Sequence, residues 1–148
     1  MLTQTLISIF DRDLNRLKTE IESYQNEKNL WITDKAVSNS GGNLCLHLLG
    51  NLNSFIGAEL GNTGYIRNRP LEFSLKDIPK AELVSRIEET SATVKTALEK
   101  LTDSDLAKEY PITVFTEKTS TEYFLIHLST HLTYHLGQIN YHRRLLDF

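Results

Sequence analysis

The sequence predicts an all-α protein: a single four-helix bundle of up-down type over residues 1–148, with one long loop between the second and third helices. Three observations carry this. Four long segments repeat apolar residues at spacings of three and four, the period of a helix with one buried face. No segment of comparable length alternates as a half-buried strand does, which leaves helix-on-helix packing to build the core. A length of 148 residues with 40% hydrophobic content suits one domain with a real interior.

The first helix is expected over residues 2–26. Leu6, Phe10, Leu14, Leu17 and Ile21 share one face, and Asp11, Arg12, Asn15, Lys18 and Glu22 the other. A polar cluster around Asn26 ends it. Ser40 or Asn43 caps a second helix that runs to about Leu60, with Leu44, His47, Leu48, Leu52, Phe55 and Ile56 inward. Gly50 and Gly57 weaken that helix by about 1 kcal/mol each relative to alanine, and close packing is one reason to keep them. Residues 61–78 form the long loop, of a length that is often functional or mobile. It carries Tyr65, Arg67, Arg69 and Glu72. Its arginine forks suit a carboxylate or a phosphate; alternatively Arg69 pairs with Glu72 and fastens the loop.

The third helix is expected over residues 80–101, with Leu83, Ile87, Val94, Leu98 and Leu101 inward. Thr102 to Asp105 caps a further short turn, and Ile112 to Phe115, after Pro111, reads as an extended connector. Thr119 as N-cap and Glu122 as its N3 acid form a capping box for the fourth helix. That helix continues to about Leu146 with Phe124, Leu128, Leu132, Ile139 and Leu146 inward.

Composition narrows the function. Net charge is -3 and the basic residues are scattered, so there is no basic stripe for nucleic acid. Cys45 is the lone cysteine, which excludes an internal disulfide and fits a reducing compartment. The opening residues lack a basic segment followed by an apolar one, and no run approaches the roughly 18 apolar residues of a membrane span. The expected location is the cytoplasm.

The chemistry concentrates in Thr130-His131-Leu132-Thr133-Tyr134-His135-Leu136-Gly137-Gln138-Ile139. Histidines four apart on a helix stand one turn apart on one face. At 100° per residue, His131 lies about 20° from Phe124 and His135 about 20° from Leu128, so both belong to the inward or cleft side. Neutral imidazole is a common metal ligand, and His47, in its own apolar helical run, is the candidate third donor. The other reading is of partly buried helix histidines bonded to backbone or carboxylate. His127 and His142 are expected in solvent.

His47 in its leucine-rich helix and the run His131 to Ile139, similar to an H-x-x-Y-H-x-G-Q-I pattern, resemble the DinB family of DinB/YfiT-like proteins (not the DNA polymerase of that name). Gly50-Asn51-Leu52 and Arg67 to Phe73 resemble one uncharacterised branch of it. The likeness covers essentially the whole chain. Leu136 departs from it, because many relatives carry arginine there.

The resemblance implies a four-helix bundle, usually a homodimer, with a divalent metal, often nickel or zinc, on His47, His131 and His135. Characterised relatives include S-transferases and isomerases that use a low-molecular-weight thiol. The expected function is therefore a metal-dependent thiol S-transferase, or a hydrolase, acting on a small electrophilic substrate. Three neutral imidazoles leave an open coordination position, as catalytic sites do. No inward acid stands out as a general base. Tyr134, Gln138, Arg67 and Arg69 are the candidates for orienting a ligand or touching substrate. The alternative is a non-catalytic metal-binding or stress-response module, with His127 or His142 closing the site. A homodimer is expected through apolar faces wider than one stripe: Leu2, Leu6, Ile9, Phe10, Leu14, Leu17 and Ile21 on the first helix, and Leu125, Leu132, Leu136 and Leu145 on the fourth.

Overall fold

A computed structural model describes residues 2–148. Helix α1 (Leu2–Glu22) turns Leu6, Phe10, Leu14, Leu17 and Ile21 inward. It ends at Glu22 rather than near residue 26. Asn26 takes extended backbone to cap a 3₁₀ turn, Glu27–Trp31. Asp147, from the far end of the chain, accepts the amides of Gln25 and Asn26, which a continuing helix would need.

Ser40 accepts the Asn43 amide and is the N-cap of α2 (Gly41–Leu52), every residue of which is buried. A helix apolar nearly all round belongs in the middle of a fold. Of the two caps the sequence offers, Ser40 is the one used, so Gly41 and Gly42 both lie inside the helix. Trp31 packs flat on the chain there, and a Cβ at Gly42 would come within 2.7 Å of its ring. Beyond Leu52 the helix widens into a π-helical stretch, Asn53–Ala58, and finishes with Glu59–Gly61.

Within the segment predicted as loop lies a short helix, α3 (Arg69–Ser74), capped by Asn68 with Pro70 in its first turn. Helix α4 spans Lys80–Glu99, and α5 (Asp103–Ala107) carries the capping box of Thr102 and Asp105. The last helix, α6 (Thr121–Leu146), is capped by Ser120 and not by Thr119. The Thr119 carbonyl instead accepts from the Tyr110 amide, in a single antiparallel bridge between Glu109 and Ser120. Glu122 therefore falls one position short of N3. Residues 112–115 form no strand, as expected of a connector.

Cross-helix contacts fix the directions. Asp13 meets Thr133 and Glu20 meets Arg143, so α1 and α6 run parallel. Lys18 meets Glu88 and Lys80 reaches the Tyr24 carbonyl, so α4 runs against α1. Asn53 bonds Thr90, and Gly61 lies against Ala97, so α2 runs with α4. His47 meets His131 and Phe55 meets Phe124, so α6 runs against α2. The order is up, down, down, up. A simple up-down bundle would alternate throughout. Two successive parallel helices need a crossover the length of the bundle, and residues 62–79 are that crossover.

The leucines expected at a subunit interface are mostly core. Leu6, Phe10, Leu14, Leu17 and Ile21 are buried, as are Leu125, Leu132 and Leu136. Only Leu145, at 63% exposure, is out in solvent. Two flanking layers bury a wider stripe than one does: α6 packs on both α1 and α2, so its extra leucines have neighbours on two sides.

His142, predicted in solvent, is 5% exposed. Its Nε2–H donates to the Ile32 carbonyl at 2.8 Å, and its Nδ1 accepts from the Tyr24 hydroxyl at 2.7 Å. It ties the ends of α1 and α6 to the segment leading into α2. Burial holds its pKa below the usual histidine range, with the Ile32 carbonyl and Asp147 only partly opposing. The unfolded chain therefore takes the proton more readily. This contribution to stability is complete above the unfolded pKa of about 6.5 and is lost as the pH falls toward the folded value. His142→Gln should lower stability by about 2 kcal/mol through the Tyr24 hydroxyl left unpaired. In thermal melts it should also make the loss of stability below about pH 6.5 shallower. An unchanged slope would place the acid sensitivity elsewhere.

Candidate metal centre

His47 comes from the middle of α2, and His131 and His135 come from successive turns of α6. Their candidate ligand nitrogens all lie within 4.8 Å of one another. His47 Nε2 and His131 Nε2 are 3.3 Å apart. Two nitrogens on one tetrahedral ion, each about 2.0–2.1 Å from it, would be about 3.3–3.4 Å apart. The His47–His131 spacing is that of two ligands on one divalent ion, and His135 stands within reach of both.

The outer nitrogens settle which atoms face inward. Glu72 Oε1 accepts from His47 Nδ1–H at 3.1 Å. Gln138 Oε1 accepts from His135 Nδ1–H at 2.7 Å. Each bond leaves the Nε2 lone pair free for the centre, the arrangement that orients histidine ligands in metal sites. His131 Nδ1 is buried with no partner, and so is Asn51 Oδ1, one turn beyond His47 on α2. Burial first, then the neighbouring His135 and His47, pushes His131 down to about 4. Burial also lowers His135, with the Gln138 bond opposing. Both rings are neutral near pH 7, the form that coordinates.

Glu72, which the sequence offered only as a loop residue and a partner for Arg69, belongs to the site. It is 6% exposed. Arg67 clamps it with two bonds of 2.9 Å, Nε to Oε2 and Nη2 to Oε1. Burial alone would raise its pKa, but the His47 and Arg67 hydrogen bonds and the Arg67 charge bring it below the usual range, so it is ionised. Room for the carboxylate comes from Gly50: a Cβ there would sit 1.8 Å from Glu72 Oε2. Gly50 thus serves the approach of a side chain rather than of a helix. The expected Arg69–Glu72 pair does not form. Arg69 stacks over Phe73 at 5.2 Å, and Phe73 in turn lies 5.0 Å from His47. The sequence held one signal for this: Asn68 followed by Pro70 is a helix start, and that helix carries Glu72 inward.

Of the other predicted contacts, Gln138 and Arg67 take part, through His135 and Glu72. Tyr134 is 64% exposed, with its ring 5.3 Å from that of His135, at the rim. Arg69 stays one layer away. His127, half-buried, stacks 6.3 Å from His131 and against Phe115, outside the cluster. His142 is committed to Tyr24 and Ile32. Among the described residues, neither histidine supplies a fourth donor.

Among the described residues, no helix is long and apolar enough to cross a membrane. The fold is similar to that in the crystal structure of the conserved protein of locus from Enterococcus faecalis, with a TM-score of 0.76 at 18% identity, over 99% of this chain and 97% of that one. No curated protein matches the sequence. A family model described as "Protein of unknown function (DUF1572)" matches residues 4–147, and the chain belongs to that family.

Proposed function

We propose that this protein binds a divalent metal ion, nickel or zinc, on His47, His131 and His135, and that it is a metal-dependent thiol S-transferase or hydrolase of the DinB type acting on a small electrophilic substrate in the cytoplasm. One observation carries the reading: three imidazoles converge, two of them held in the ligating tautomer by Glu72 and Gln138, and among the described residues no fourth protein donor joins them. A divalent ion held this way supplies Lewis acidity, bringing bound water to a pKa of about 7 or keeping a thiol as thiolate.

The chain's own residues do the rest. Glu72 fixes His47 and offsets the positive charge gathered there. Arg67 keeps Glu72 ionised and in place. Gln138 fixes His135 and retains its amide N–H groups to orient a ligand at the rim. Tyr134 offers a hydroxyl beside it. The expected outcome is turnover of an electrophilic substrate with a low-molecular-weight thiol that depends on added nickel or zinc. No metal-dependent rate with any thiol or with water, despite tight uptake of metal, would favour the alternative of a non-catalytic metal-binding or stress-response module.

A homodimer belongs to the same reading, with its contact moved off the buried leucines. Val114, Phe115, Tyr123 and Ile126 form an exposed apolar patch where the 111–118 loop meets the start of α6, and the Phe115 and Tyr123 rings are 6.4 Å apart. Patches of this kind mark partner surfaces. Sedimentation equilibrium should give a dimer for the parent chain and a monomer of equal helicity for Ile126→Arg; a monomeric parent would end the idea.

A further inference from the structure

A groove of about 740 Å³ runs between residues 34–39 and the C-terminal half of α6. Its walls include Val37, Leu44, Tyr134, Tyr141 and Leu145. Val37 is 43%, Tyr141 62% and Leu145 63% exposed. Exposed apolar side chains are ordinary one at a time, but gathered around one concavity they mark a binding surface. The volume lies in the range of small-molecule sites, which are mostly apolar with a few convergent polar groups. Those groups are present here at one place: His135 and Gln138 also line the groove. The charges at its edge, Asp34 and Lys35, are adjacent in sequence and opposite in sign. His142, also in the lining, has both nitrogens occupied.

We infer that this groove is the substrate pocket of the His47–His131–His135 centre, and that it takes an uncharged, largely apolar molecule of one or two rings with its reactive end at His135 and Gln138. The apolar walls favour flat hydrocarbon surface, and Tyr134 and Tyr141 offer ring faces for stacking. An anionic or cationic substrate would meet no uncompensated partner in the walls and would lose hydration. Gln138, bonded to His135 through its oxygen, presents its N–H groups to an acceptor on the ligand. The inference rests on the metal reading for its chemistry but not for its binding.

N-phenyl-1-naphthylamine, a neutral two-ring fluorophore, tests it on the full chain. Saturable 1:1 binding is expected, with perturbation of the His135 ring resonances and none at His127. Leu145→Glu and Val37→Glu, on opposite walls and both exposed, should each weaken binding at least tenfold with helicity unchanged. Ile126→Arg, on α6 but outside the groove, should bind like the parent. His47→Ala should also bind the fluorophore normally while losing zinc uptake. Normal fluorophore binding by a parent chain that takes up no zinc would therefore sink the metal reading and leave the pocket standing. Absence of saturable binding, or parental affinity in both glutamate variants, overturns the pocket. So does a dimer that Leu145→Glu dissociates, because a second copy would then be the occupant.

Discussion

Replacing His47 by alanine should abolish tight binding of zinc or nickel while the helical fold persists. Apparent binding energies of structural zinc sites are about 10–16 kcal/mol, so one ligand of three is worth about 3–5 kcal/mol, a loss of a few hundred- to several thousand-fold. His135→Ala should cost a similar amount. The fold survives because the core is elsewhere: Phe10, Tyr24, Tyr110 and Phe124 are all buried in the bundle away from the three rings. His47→Ala does strip Glu72 of one partner, but Arg67 remains bonded to both carboxylate oxygens. Calorimetry with circular dichroism on each variant decides the matter. Parental affinity in either would remove that residue from the ligand set, and loss of helicity would show that the site and the core are not separable.

Why the three histidines and Gln138 were legible and the Glu72 support of His47 was not follows from where each sits. His47, His131 and His135 lie within apolar helical runs, where spacing fixes the face that a side chain occupies. Glu72 lies in the crossover, whose path depends on the directions of α2 and α4, and direction leaves no periodic trace. A strictly alternating bundle would not have carried residues 62–79 past His47. The Arg67 partnership has the same origin. Arg69, the nearer residue to Glu72 in sequence, is turned outward onto Phe73 by the first turn of α3. His142 was misplaced for a different reason. It is seven residues beyond His135, but its burial comes from Tyr24 and Ile32, outside the bundle stripe that the wheel describes. The capping residues were right in kind and off by one position in α6, because Thr119 is held in a bridge by Tyr110.

The fit of Glu72 against Gly50 gives a prediction in which the sign of a substitution reverses. Alanine is ordinarily better than glycine inside a helix by about 1 kcal/mol. At position 50 its methyl would overlap the Glu72 carboxylate, with Oε2 only 1.8 Å from the new carbon. The carboxylate is the end of a side chain and could swing away, but it is held by Arg67 and His47. Moving it leaves a largely buried guanidinium unpaired, and breaking such a pair costs about 3–5 kcal/mol. Gly50→Ala should therefore destabilise the fold by about that much and weaken metal affinity about 10–100-fold, because the outer hydrogen bond of a ligating histidine is gone. Glu72→Ala alone should show similar losses. In the Glu72→Ala background, however, Gly50→Ala should cost nothing further and recover up to about 1 kcal/mol, since the only clash has been removed. Denaturant unfolding of the four proteins closes the cycle. Additive losses would mean that Gly50 is needed for packing of α2 itself, and that its cradle for the carboxylate is incidental.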